Sequence, residues 1–312
     1  MAPSSVRESP RSASRLRTVR PDGTPIYRYE QRPGVPPVSV TRMDTEAAHA
    51  ELPPDHRHAH DFLVLVYVEE GTGSFAVDGA ARPLRPGQVH AVSPGQVVDV
   101  SAAFELTGCR AWSVAFTPDA VPALAAVSPL TWSHHPLLAL FAPGAGDGLV
   151  AEPDRARWSA WLTELAEELA DPGRLGAREA VAGLLTRILV AAARLAPPAS
   201  TGAPDPLVER VFSEIEATFR EPVSVGDVAR ALGYTPGHLT TLVRERTGRP
   251  LLEWITERRM TEVRRMLRET DLPLGVVAAR TGLRDATYLV RRFRDRYGTT
   301  PQRWRLSQRT RS

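Results

Sequence analysis

The sequence predicts an α+β protein of two domains: an antiparallel β-barrel with two flanking helices, followed by an all-α double helix-turn-helix. Three observations predict it. Between Val38 and Phe116, short apolar runs are separated by turn residues at spacings of about 8 to 12. Beyond them the apolar period changes to that of helices. In the last third of the chain one helical unit occurs twice.

Residues 1–30 open with "MAPSSVRESPRSASRLRTVR", which lacks the apolar core of a secretory signal and is broken by Pro3 and Pro10; they read as a disordered basic tail. The barrel is expected over 31–150. Its strands are Phe62 to Val68, "SFAV", "VHAV" and "WSVAF", in which Trp112, Val114 and Phe116 alternate. Its turns are "EEGTG", "VDG", "RPG" and "SPG". "GTGS" at 71–74 leads into a strand instead of opening a helix, so it reads as a hairpin turn and not a phosphate loop.

The stretch "DHRHAHDF", residues 55–62, puts His56, His58 and His60 on one face if it is extended. Such a face is suited either to holding a metal or to lining a pocket. Pro53 and Pro54 argue for loop at His56. His90 lies on the opposite parity to Val89 and is free to face either way.

Over 151–196 two amphipathic helices are expected, with Trp158, Trp161, Leu162, Leu165 and Leu169 on the first and Val181, Leu184, Leu185, Ile188, Leu189 and Leu195 on the second. Their stripes suit either covering the barrel or pairing two subunits into a homodimer. "VAGLLTRILVAAARL" carries Arg187 and Arg194 and is too short for a membrane span. Residues 197–206 have linker composition.

The repeat fills 207–308. Val228, Ala229 and Gly233 correspond to Val277, Ala278 and Gly282 at an offset of 49, and Leu239, Val243 and Gly248 to Leu289, Phe293 and Gly298 at an offset of 50. Each copy is a helix, a turn at glycine and a second helix, started by Thr235 and Pro236 in one and by Asp285 in the other. That is a helix-turn-helix, whose second helix enters a major groove. Val228, Leu232, Leu239, Leu242, Val276, Leu289 and Phe293 are assigned to its core. "PLLEWITERRMTEVRRML" joins the copies as a helix of about 25 Å, a length suited to holding two recognition helices about one DNA turn apart. On it Arg264, Arg265 and Arg268 read as a solvated face.

Charge agrees with this division. From Asp205 onward 21 arginines face 14 acids, a net +7, whereas residues 1–204 carry −4. A basic C-terminal part favours a nucleic-acid partner. The one cysteine, Cys109, excludes an internal disulfide, and the chain is read as cytoplasmic.

"VARALGYTPGHLTTLVRERTGRPLLEWITERRMTEVRRMLRETDLPLGVVAARTGL" and the closing "YLVRRFRDRYGTTPQRWR" resemble the DNA-binding domain of the AraC/XylS family of bacterial transcription regulators. The resemblance implies double-stranded DNA as partner, with RNA polymerase as a further partner at a promoter. It implies base-facing roles for Gly237, Thr240 and Thr241, and for Ala286, Thr287, Val290 and Arg291, with Arg244 and Arg294 at phosphates. Arg291 is suited to guanine and the threonine methyls to thymine.

"HAHDFLVLVYVEEGTGSFAVDGAARPLRPGQVHAVSPGQVVDV" resembles the cupin-like barrel with which regulators of this family bind a small effector. In a metal-dependent cupin two histidines are followed by an acid and a late histidine. Here His58 and His60 match the pair, but the other positions are Val64 and Val98. No metal or other cofactor is therefore expected; His58, His60, Val64, Val98 and Trp112 are assigned to an effector pocket or, for the histidines, to satisfying buried backbone groups. The alternative is a metal-dependent cupin enzyme tethered to DNA. The favoured reading is a regulator without catalytic residues.

Overall fold

The computed structural model describes residues 14–30, 35–44, 57–100, 107–142, 147–195 and 205–309. Its N-terminal part is a barrel of two sheets that share one long strand. That strand, β5 (Leu63–Val77), pairs through its first half with β7 (Gln88–Val92) and β9 (Thr107–Phe116), and through its second half with β6 (Ala80–Leu84) and β8 (Val97–Asp99). β3 (Val38–Asp44) extends the first sheet beyond β9, and β10 (Gly148–Leu149) beyond β7. The second sheet continues from β8 through β4 (Arg57–His60) and β2 (Pro25–Tyr29) to β1 (Ser14–Val19).

Two expectations are corrected here. Residues 14–30, assigned to the disordered tail, form β1 and β2: Tyr27 and Tyr29 alternate inward onto the barrel core, which outweighs the arginines between them. Residues 1–13 lie outside the described residues. "EEGTG" is not a hairpin turn. The pairing register shifts at Glu70, β5 bends and runs on, and the chain reverses only at Asp78 and Gly79. Gly71 makes the bend feasible, because at its φ of +87° a Cβ would overlap the backbone of Cys109.

Alternation along β5 and β9 sorts two cores. Val64, Val68, Phe75, Val77, Val92, Val98 and Ala111 face the barrel interior. Leu63, Leu65, Tyr67, Trp112, Val114 and Phe116 face outward, where α1 (Glu152–Ala170) and α2 (Ala177–Leu195) cover them with Trp158, Leu162, Leu165, Val181, Leu185 and Ile188. The helices' apolar stripes are thus taken up by the barrel, leaving their outward faces for any second subunit. No helix among the described residues is long and apolar enough to cross a membrane.

The C-terminal part has two smaller cores on one rod. α3 (Pro206–Thr218), α4 (Val225–Leu232) and α5 (Pro236–Thr247) gather Val211, Ile215, Val228, Leu239 and Val243 around the first half of α6 (Leu251–Glu269). α7 (Leu274–Arg280), α8 (Ala286–Tyr297) and α9 (Pro301–Arg309) gather Val277, Leu289, Phe293 and Trp304 around its second half. α6 has 19 residues and is about 28 Å long. Val276, assigned to the core, is 37% exposed; it lies off the Leu274, Val277 and Ala278 stripe.

Candidate nucleic-acid interface and effector chamber

Each recognition helix is set by its own start signal. Before the first, α4 carries a capping box that the repeat comparison did not single out: Ser224 Oγ accepts from Asp227 N–H at 3.3 Å while Asp227 accepts from Ser224 N–H at 2.9 Å. Hydrogen bonds from Ser224 and Arg230 hold the Asp227 carboxyl at about 2. Gly233 then takes the left-handed conformation, φ +79°, and α5 begins at Pro236. Thr235 occupies the N-cap, but its hydroxyl makes no capping bond. Asp285 does cap α8, accepting from Tyr288 N–H at 2.7 Å.

With Leu239 and Val243 turned inward, α5 leaves Gly237, Thr241 and Arg244 exposed and Thr240 half-buried. On α8, with Leu289 and Phe293 inward, Thr287, Arg291 and Arg294 are exposed and Ala286 and Val290 half-buried. Sequence reasoning missed Tyr288. Its ring has the guanidinium groups of Arg284, Arg291 and Arg292 at 5.9, 5.4 and 5.5 Å, and its hydroxyl accepts from Arg292 Nε at 3.0 Å. An aromatic residue next to an arginine-rich turn was the available signal.

The solvated face assigned to the linker helix is only partly solvated. Arg265 and Arg268 are at the surface and pair with Glu269. Arg264 is buried: it meets Asp119 at 3.2 Å, donates to the Ala125 carbonyl at 3.3 Å and lies 5.3 Å from the Tyr297 ring. The barrel domain covers that side of the helix, so a residue polar by type becomes an interdomain contact. Arg258, also buried, pairs with Glu216 at 2.8 Å above the Phe219 ring.

Inside the barrel His58 lies opposite Val98 in the β4–β8 register, and Val64 joins the same interior cluster. His60 is buried, and its Nδ1 donates to the Phe62 carbonyl at 2.8 Å. Burial pushes its pKa down to about 4, so it is neutral near pH 7. Trp112 does not join this interior cluster: it stands on the other face of β9, against α1 and α2, because its parity matches that of Val114 and Phe116. His56 lies outside the described residues. His90 faces the interior, with its ring edge-on to Phe75 at 5.2 Å and its Nδ1 3.0 Å from Asp147, which Arg82 also meets at 2.8 Å. Burial acts to raise the Asp147 carboxyl, but hydrogen bonds from His90 and Arg82 bring it below its ordinary value. Among the described residues no three His, Cys, Asp or Glu side chains converge as a metal-ligand set.

Comparison with known proteins agrees with this architecture. Residues 228–307 match the family model of a helix-turn-helix domain, and residues 44–189 that of the AraC-like ligand binding domain. The HTH-type transcriptional activator AarP of Providencia stuartii is 30% identical over 101 residues, covering 32% of this chain and 75% of AarP. The chain belongs to the AraC/XylS family. A second relative in this family, the multiple antibiotic resistance protein MarA of Escherichia coli, is 28% identical over 100 residues, 32% of this chain and 79% of MarA. Among solved structures, the DNA-binding domain of AdpA in complex with a target DNA is 29% identical, covering 35% of this chain and 96% of that one, with a TM-score of 0.32. This AraC/XylS protein is a DNA-binding transcription regulator with an N-terminal ligand-binding domain.

Proposed function

We propose that the regulator reads a bipartite promoter site with α5 and α8 in successive major grooves, and that a small effector inside the barrel controls it. The observation that carries the reading is the pair of recognition helices set on one rod of about 28 Å, each with its assigned base-facing side chains open to solvent or half-buried. Base contacts are assigned to Gly237, Thr240 and Thr241 on α5 and to Ala286, Thr287, Val290 and Arg291 on α8. Phosphate contacts go to Arg244 and Arg294. The effector's place is beside His58, His60, Val64 and Val98, where a largely hydrocarbon wall with a few imidazoles suits a small, mostly apolar molecule carrying a polar group.

Selection of bound sequences from random duplex DNA with the full chain tests the reading. A motif in two halves about one helical turn apart is expected. Binding without a motif, lost as salt rises, would leave only a nonspecific basic surface.

A further inference from the structure

The corner at which β4 passes into β5 has two faces. His60 and Phe62 turn inward, their rings stacked at 4.7 Å, and Phe62 meets Tyr29 edge-on at 5.7 Å. Asp61, between them, turns toward the helix-turn-helix domain. Its carboxylate pairs with Arg296 and, at 3.3 Å, with Arg17, while its carbonyl accepts from Arg296 at 3.0 Å.

Arg296 is the penultimate residue of α8, and it also donates to Glu257 of α6 at 3.0 and 3.1 Å. Glu257 receives a second cation, Arg249, at 3.4 Å, from the turn that leaves the first unit. The stem of Arg249 rests on Gly95, where a Cβ would come within 2.7 Å of it. Gly95 N–H in turn donates to the His60 carbonyl at 2.8 Å. One corner of the barrel therefore touches both helix-turn-helix units, and both contacts meet at Glu257.

All of these side chains are largely buried: Asp61 is 8% exposed, Arg249 7%, Arg296 12% and Glu257 14%. Burial by itself would raise the Glu257 carboxyl, but Arg296 and Arg249 reverse this and hold it at about 2. A buried ion network adds little net stability but penalises every arrangement in which a partner is lost, so it favours one geometry. A separate buried pair, Arg264 with Asp119 at 3.2 Å, joins α6 to the barrel. Loss of Asp61 alone thus loosens α8 without undocking the domains.

We propose that the corner of residues 60–62, with Gly95, holds the two recognition helices at one spacing, so that the effector-binding barrel is itself part of the DNA reader. The inference rests on the reading that both helices engage one site together. Asp61 is a positioning residue: it acts through Arg296 and touches no base. Its neighbours in sequence, His60 and Phe62, are buried on the interior side of the barrel, so a change inside the barrel and a change in helix spacing are linked through adjacent residues.

The test uses the full chain and duplexes carrying the selected bipartite site, with its halves at the selected spacing or one base pair nearer or farther, and reads binding by fluorescence anisotropy. Wild type is expected to prefer the selected spacing. Asp61→Asn and Glu257→Gln, isosteric changes that approach the network from two sides, are expected to reduce that preference about threefold to thirtyfold. Asp61→Glu, which keeps the charge, retains more of it. Thermal melts followed by circular dichroism identify the folded variants. A folded Asp61→Asn or Glu257→Gln protein with the wild-type spacing preference would overturn the proposal. Failure of the two-helix reading looks different: wild type would then bind a duplex with one half scrambled as tightly as the intact site, and there would be no spacing to set.

Discussion

The first and second helix-turn-helix units descend from one repeat, yet they meet the barrel differently. Arg246 and Arg296 are equivalent at the offset of 50. Arg246 stays within its own domain, 40% exposed, and donates at 2.6 Å to Asp205, the N-cap of α3. Arg296 is 12% exposed and crosses to Asp61. The glycines that end the two recognition helices show the same contrast: the nearest barrel atom to a Cβ at Gly248 would be Asp78 at 3.8 Å, whereas Arg28 would crowd one at Gly298 at 2.9 Å. A cleft of about 410 Å³ separates the first unit from the barrel, while the space beside Arg296 and Tyr297 is about 40 Å³. The barrel meets the first unit through Leu130 and through Arg249 on Gly95 and meets the second through the buried Arg296–Asp61 pair, so position in the tertiary structure, more than local sequence, determines how each copy of the repeat contacts it.

The largest expected effect breaks the pin. Arg296→Ala leaves Asp61 and Glu257 buried with a cation missing and should cost roughly 3–5 kcal/mol in denaturant unfolding, whereas Arg246→Ala at the equivalent, exposed position should cost less than about 1 kcal/mol. Equal costs would erase the contrast.

Acid should act on the pinned side in two stages. His60 has its pKa lowered from 6.5 to about 4, so the unfolded chain binds its proton first, and stability should fall on the order of 3 kcal/mol as pH drops from 6.5 to 4. Glu257 is lowered from 4.5 to about 2, so its contribution is complete above 4.5 and is lost as pH falls toward 2. A His60→Leu protein whose unfolding free energy retains the full slope between pH 6.5 and 4 would remove His60 from this account.

DNA contacts sharpen the comparison next. Arg291→Ala on α8 should cost about 1–3 kcal/mol at one base position, and Arg294→Ala should weaken all sequences alike and lower the salt slope by about one. Uniform loss from both would displace the assignment of α8. Thr241→Ala on α5, which removes a single methyl and hydroxyl, should cost only about 0.5 kcal/mol, read as a milder preference at its own position.

Much of this was legible in sequence because it is written locally. Asp285 caps α8 where a short acceptor precedes an apolar period, and the glycines at 233, 248 and 298 lie where left-handed turns end helices. The inward sets Val228, Leu239, Leu289 and Phe293 follow from period alone. Less was legible in the barrel. "SRLRTV" carries so much charge that its pairing with "PIYRY" had no local signal strong enough to outweigh composition. The face that Trp112 takes follows from its parity with Val114 and Phe116, which puts it outside the barrel interior.

By itself the sequence determined the change from strands to helices, the repeat, the starts and stops of the recognition helices and the family, since each depends on residues within a few turns of one another or on a motif read in line. Only the tertiary structure decided that Arg264 and Arg296 are buried, that His90 faces Asp147, and that the histidine stretch bears an acid for the other domain. Those outcomes depend on which surfaces come together across more than fifty residues, and a charged side chain has no preference of its own between water and a buried partner until that partner has been brought to it.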